Sequence, residues 1–190
     1  LRKLNAEPSK GLLSIIKICG LDGHNITIDD IVFKIGPRIN AAGRMRMDEY
    51  PEDSIPSGGY AAVKLLVEGN EAAARELGEG IDNFNQDRKK EDRSVTIEAH
   101  ELVENNPQLK SQKSIVIYNP KWMKGIVGIV ASRLIETYYR PTVVLTQSNG
   151  FVTGSARSIA GFDLYQAVES CSDLLENFGG HMYAAGLTMK

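Results

Sequence analysis

The sequence predicts an α/β protein in which a long connecting helix is followed by a small mixed-sheet domain containing a βαβ unit. Three observations carry this reading. From Tyr60 to about Asn105 there is no proline, and Leu65, Leu66, Leu77, Ile81, Phe84, Val95, Ala99, Leu102 and Val103 keep a helical rhythm. Ser114–Tyr118, Gly125–Tyr139 and Pro141–Thr146 then read as strand, helix and strand, an order that closes as a right-handed crossover between parallel strands. Asn149-Gly150 signals a tight hairpin into a further strand, Phe151–Ala156, which makes the sheet mixed.

The other elements follow from local chemistry. Pro8-Ser9 precede Leu12, Leu13, Ile15, Ile16 and Ile18, and Gly20 closes the run, so the first helix is capped, largely buried and about three turns long. Ile26 to Ile35 is rich in β-branched residues and reads as extended. After Arg44 the stretch MRMDEYPEDSIPSGG, with its prolines, acidic residues and closing glycines, marks a loop that separates two parts of the structure. Within the long helical stretch, Arg88 shares a face with Ile81 and Phe84, while NQDRKKEDR (Asn85–Arg93) is polar all round and suits a solvent-bridging segment. Asp163 is a good N-cap for a helix starting at Leu164. A short helix near Met182–Ala185, stopped by Gly186, leads to a final strand, Leu187–Met189.

Composition narrows the function classes. The 190 residues are 42% apolar, enough for one or two ordinary domains, and no apolar run approaches the roughly 18 residues that cross a bilayer. The start, LRKLNAEPSKGLL, lacks the apolar core of a secretory signal, so the expected location is the cytoplasm and no membrane partner is expected. Cys19 and Cys171 stand far apart in apolar surroundings, which fits buried thiols and neither a disulfide framework nor a cysteine metal cluster. A net charge of −2 argues against gripping nucleic acid by bulk electrostatics, so such a role must be local. Positive charge gathers in one place, at Lys34, Arg38, Arg44 and Arg46, with no acidic residue among them; a solvated loop is the plain alternative.

Four segments carry chemistry. In GPRINAAGR (Gly36–Arg44), Gly36-Pro37 is expected to force a turn from which Arg38 and Asn40 project, with Ala41, Ala42 and Gly43 leaving room for close approach. Arg38 and Arg44 then clamp a phosphate, since an arginine fork fits two phosphate oxygens at once; a structural salt bridge is the competing reading. In GSARS (Gly154–Ser158), Ser155 and Arg157 fall on one side of an extended strand, a hydroxyl and a guanidinium suited to an anion, or else an ordinary half-exposed strand. FGGHMYAAG (Phe178–Gly186) sets Gly179 and Gly180 before the expected short helix, so that backbone N–H groups face a phosphate with His181 at the rim; a simple glycine turn is the alternative. KGIVGIVASRL (Lys124–Leu134) is mostly core, with Gly125 and Gly128 allowing close packing on the sheet. No metal centre assembles from the sequence: His24, His100 and His181 are dispersed, and the pairs Asp29-Asp30 and Asp48-Glu49 suit turns and caps.

Taken in this order, the four segments resemble RecJ-type exonucleases of the DHH phosphoesterase superfamily. The resemblance covers nearly the whole chain, and GPRINAAGR separates it from the shorter nanoRNases and cyclic-dinucleotide phosphodiesterases, which share chiefly the GGH ending. It implies a fragment: residues 1–45 the tail of a DHH domain, 46–110 a loop and long linker helix, and 111–190 a DHH-associated substrate-binding domain. It implies further that Arg38, Ser155 and Arg157 bind substrate phosphate, with Asn40 and Arg44 in the same motif, and that Gly179, Gly180 and His181 form the wall opposite the metals. The DHH signature and the metal-binding aspartates would lie upstream, so no catalytic residue and no metal ligand is expected here; Mn²⁺ or Mg²⁺ belongs to the intact enzyme. The expected partners are single-stranded DNA, the missing DHH domain and an oligonucleotide-binding domain of the same protein. Met123 stands where the family has a histidine after the tryptophan, and no role is carried onto it.

The resulting expectation is the substrate-binding part of a 5′-to-3′ single-stranded-DNA exonuclease that releases mononucleotides by metal-dependent hydrolysis and serves DNA repair and recombination, the fragment alone being inactive. Two other classes compete: a non-catalytic nucleic-acid or nucleotide-binding module, and a DHH phosphodiesterase of oligonucleotides or cyclic dinucleotides.

Overall fold

The computed structural model describes residues 1–45 and 58–189, so the acidic loop predicted after Arg44 lies for the most part outside the described residues. The chain divides into two compact units, 1–89 and 90–190.

The first unit is helical: α1 (Arg2–Ala6), α2 (Lys10–Ile18), α3 (Ile28–Asp30), α4 (Gly36–Ala42), α5 (Gly59–Val67) and the first half of α6 (Glu71–Glu104). As expected, Ser9 caps α2, its side chain accepting from the Leu12 N–H at 3.3 Å. Ile15, Leu65 and Ile81 are fully buried at the centre of a core that also takes in Ile16, Ile35, Ala41, Ala42 and Phe84. The long proline-free stretch is two helices, α5 and α6, and Asn70 caps the second by accepting from the Ala73 N–H at 3.1 Å.

Two expectations for this unit are corrected. Ile26 to Ile35 is not extended: Thr27 and Asp30 form a capping box that starts α3, and a π turn over Ile31–Ile35 carries the chain into α4. Gly36-Pro37 accordingly forces no turn. The Gly36 N–H reaches back five residues to the Ile31 carbonyl, and this wider turn lets Pro37 enter a helix whose ordinary geometry would press its ring on a carbonyl four residues back. Glycine is required there, because a Cβ at position 36 would stand 2.9 Å from the Ile31 oxygen.

The second unit takes in the rest of α6, the short α7 (Pro107–Ser111) and a five-stranded sheet. The sheet has the order β1-β2-β3-β5-β4, with β1 (Ile115–Tyr118), β2 (Thr142–Ser148), β3 (Phe151–Arg157), β4 (Asn177–His181) and β5 (Ala184–Met189). Only β1 and β2 are parallel; the remaining pairs are antiparallel, so the sheet is mixed and the βαβ unit is present. Asn149 and Gly150, with φ of 53° and 80°, make the turn between β2 and β3. Side-chain alternation separates the two faces. Helix α8 (Lys124–Tyr138) packs Val127, Val130, Ala131 and Leu134 with Ile115, Ile117 and Val144. Helix α9 (Leu164–Glu169), capped by Asp163 as expected, packs Leu164 and Val168 with Leu145, Ala156, Ala185 and Leu187 on the opposite face.

The end of α6 is tied into this unit by polar contacts. Asp92 accepts a two-point bond from Arg133 of α8, at 3.0 Å from Nε and 2.9 Å from Nη2, and Glu98 accepts from the buried Trp122 indole at 2.9 Å. Asn85 and Asp92 are buried, so the NQDRKKEDR stretch is not solvated all round as expected; Asp92 accepts from Arg133, and the Asn85 Oδ1 accepts from the Arg88 Nη2 at 3.3 Å. A further correction concerns Met182–Ala185. This segment is no helix, because Met182-Tyr183 is the two-residue turn of a β4–β5 hairpin, and β5 starts at Ala184 rather than Leu187. Gly180 permits that close pairing: a Cβ there would lie 2.2 Å from the Ala184 carbonyl oxygen.

Candidate functional site

The strand pairing brings the predicted residues of the second unit into two rows. Arg157 of β3 pairs with Ala184 of β5, which pairs with His181 of β4; Ser155 pairs with Gly186, which pairs with Gly179. Directly paired residues share a face, so Ser155, Arg157 and His181 stand on one side of the sheet with Ala184, Gly186 and Gly179 between or beside them. That is the face on which α8 packs farther along, over β1 and β2. The α8 helix also abuts the site itself: a Cβ on Gly128 would come within 3.0 Å of both the Arg157 Nη2 and the Ser155 Oγ. Gly179, His181 and Gly186 are exposed, and Ser155, Arg157 and Ala184 are half-buried.

Period-two alternation had placed Ser155 and Arg157 together, and they touch. The Arg157 Nη1 donates to the Ser155 Oγ at 2.7 Å and to the Ala156 carbonyl at 2.9 Å. Because Ser155 accepts from the guanidinium, its own hydroxyl proton is left to donate elsewhere. The pair therefore presents donors, which is what an anion needs. Gly180 is different from its neighbours: it pairs with Ala185, which belongs to the α9 face, so it lies away from Ser155 and Arg157. Its expected place in an N–H cradle at a helix start is withdrawn along with the helix. Gly186, which the sequence reading did not single out, shares the row with Ser155; its only signal was the AAG ending of the motif.

In the first unit, Arg38, Asn40 and Arg44 sit on and just after α4, with Asn40 and Arg44 exposed. The Arg38 Nε donates to the Asp82 Oδ1 at 2.7 Å and its Nη1 to the Lys34 carbonyl at 2.9 Å, while Lys34 pairs with Asp30 at 2.8 Å. The basic cluster is thus partly neutralised, and the salt-bridge reading of Arg38 has a partner in Asp82. A phosphate here would meet the Nη2 edge of Arg38, which neither contact uses. Asp30 is held down to about 2 by Lys34 first and then by its bonds to Thr27. Burial is the main cause that pushes the Cys19 thiol up. Among the described residues, no group of three or more His, Cys, Asp or Glu side chains gathers to hold a metal ion.

Comparison with known proteins bears on the family of the chain. Residues 111–190 match the DHHA1 domain. The chain is 39% identical over 192 residues to the single-stranded-DNA-specific exonuclease RecJ of Bacillus subtilis, covering 100% of this chain and 23% of that protein. It is 33% identical to the RecJ of Escherichia coli, covering 95% of this chain and 30% of that one. Among solved structures, the RecJ of Thermus thermophilus in complex with Mn²⁺ superposes with a TM-score of 0.80 at 28% identity, covering 100% of this chain and 26% of that chain. A structure of the same protein with Mg²⁺ matches with the same score. The chain thus spans roughly a quarter to a third of the length of the curated relatives it matches.

Proposed function

Since the chain belongs to the RecJ-type exonuclease family, as a segment that carries the DHHA1 domain, we propose that it is the substrate-holding part of a 5′-to-3′ single-stranded-DNA exonuclease. The observation that carries the reading is the donor pair Arg157–Ser155, joined at 2.7 Å on the half-buried β3 strand and flanked by Gly179, Ala184, Gly186 and His181. A guanidinium and a hydroxyl fixed on a rigid sheet bind the 5′ phosphate, and that contact sets the register of the strand relative to the reacting bond. Arg38, Asn40 and Arg44 of the first unit are the other phosphate-binding residues of this reading.

In this reading residues 1–45 are the end of the DHH domain, 46–110 the loop and linker helix, and 111–190 the substrate-binding domain. The DHH domain supplies the ligands for Mn²⁺ or Mg²⁺, which activate water and offset charge on the phosphorus. The residues of this chain bind and orient the strand, and release of mononucleotides serves DNA repair and recombination in the cytoplasm. The direct test is equilibrium binding of a 5′-phosphorylated pentathymidylate against the same strand with a 5′ hydroxyl. At least a tenfold preference for the phosphorylated strand is expected, about the worth of one charge-assisted hydrogen bond. Equal affinities would overturn the phosphate-end assignment.

A further inference from the structure

Helix α8 carries a half-buried glycine, Gly128, in its second turn, where glycine costs stability relative to alanine. Its backbone gives no reason for the choice, since Gly128 is not among the residues with positive φ. Core packing gives none either. Its neighbours Val127, Val130 and Ala131 fill the core, whereas the three atoms nearest to a Cβ at 128 all belong to the donor pair. They are the Arg157 Nη2 and the Ser155 Oγ, both at 3.0 Å, and the Ser155 Cβ at 3.4 Å. Gly154 of β3 is a contrast: a Cβ there would stand 2.6 Å from the Val144 carbonyl oxygen, so that glycine is required by the sheet itself.

A methyl group at position 128 fits only if the guanidinium and the hydroxyl give way by a few tenths of an ångström. Both are ends of side chains that can swing, while α8 is anchored by Val127, Val130 and Ala131 against the sheet, so the pair moves and the helix stays. The bond from the Arg157 Nη1 to the Ser155 Oγ, at 2.7 Å, is the contact that such a shift loosens. We propose that Gly128 is a positioning residue: by withholding a side chain it seats the Arg157 guanidinium and the Ser155 hydroxyl against α8, at the spacing that receives the 5′ phosphate. The inference rests on the phosphate-end reading above and adds a residue that acts through the two donors.

The test turns on opposite signs for stability and binding. Gly128→Ala should melt at the parent's temperature or a few degrees above it, because alanine favours the helix. The same variant should bind 5′-phosphorylated pentathymidylate about threefold to tenfold more weakly than the parent, with the 5′-hydroxyl strand unchanged. A clear fall in melting temperature would make Gly128 a packing residue, and an undiminished phosphate preference would show that the pair needs no such seat; either result overturns the proposal. A double-mutant cycle checks the route. In an Arg157→Ala background Gly128→Ala should leave the remaining phosphate preference unchanged, whereas a further loss of full size means that Gly128 acts by another path. The guanidinium can also be read without DNA. In the ligand-free parent its bonds to Ser155 and the Ala156 carbonyl should slow rotation and separate the Arg157 Nη resonances, which should merge in Gly128→Ala. Identical signals in both chains defeat the role of Gly128. A parent that binds 5′-phosphate and 5′-hydroxyl strands equally, while Gly128→Ala still merges the guanidinium signals, defeats the phosphate-end reading and leaves the seat standing.

Discussion

Arg157 and Arg38 are both half-buried arginines, yet they are held in different ways. Arg157 donates to a hydroxyl and a carbonyl on its own strand, and Arg38 to a carboxylate 44 residues away. Replacing Arg157 by Ala should remove a charge-assisted contact worth about 1.5–3 kcal/mol, weakening 5′-phosphorylated strands by roughly ten- to a hundredfold while 5′-hydroxyl strands hardly change. A destabilised variant with unchanged end preference would instead make Arg157 a structural residue. Replacing Arg38 by Met should act mainly on stability, by about 1–3 kcal/mol in denaturant melts, because Asp82, 22% exposed, loses its cation. Strand periodicity alone put Ser155 and Arg157 on one side. The Asp82 partner of Arg38 was beyond reach, since nothing local ties residue 82 to residue 38.

At the level of elements, errors arose where tertiary pairing or a special turn overrode local preference. Ile28, Ile31, Val32 and Ile35 favour a strand by side-chain shape, but the Thr27–Asp30 capping box and the π turn before Pro37 make the segment helical. Asp30 is half-buried and held near 2 against an ordinary value of 3.8, so its support for this helix start is complete above about pH 4 and is lost as pH falls toward 2. Far-ultraviolet circular dichroism and melting between pH 5 and 2 should show a loss in the parent that is smaller in Asp30→Asn, which starts without the charge. The alanines of the GGH segment suggested a helix, but long-range pairing with β3 makes them strand. Gly180→Ala should cost about 1–3 kcal/mol because its Cβ would meet the Ala184 backbone, whereas Gly179→Ala, whose Cβ would meet nothing within 4 Å, should melt like the parent. The β1–α8–β2 crossover and the β2–β3 hairpin were readable because their signals, a short apolar run and Asn-Gly, lie within the elements they define.

For the molecule as a whole, overall charge and local donors make opposing demands on affinity. A chain of net charge −2 repels a polyanion at long range, so attraction must come from the few groups that touch it. In the proposed site Arg157 is the principal cation, and the Arg38 cluster is partly neutralised by Asp82 and Asp30. If binding engages about two phosphates, the logarithm of affinity should fall with the logarithm of salt at a slope of about −1.4, the single-strand value of roughly −0.7 per phosphate. Between 50 and 200 mM salt that is a loss of about sevenfold, measurable by fluorescence anisotropy with a 5′-phosphorylated pentathymidylate. A loss of a hundredfold or more would require an extended basic track and refute a local site; no loss at all would mean that phosphate is not what the site holds. The same samples, given Mn²⁺ or Mg²⁺, should release no nucleotides, because the metal ligands of the proposed reaction are assigned to the DHH domain and the described residues gather no ligand cluster. Metal-dependent release that follows the chain through purification would place catalytic groups within these 190 residues and overturn that division of labour.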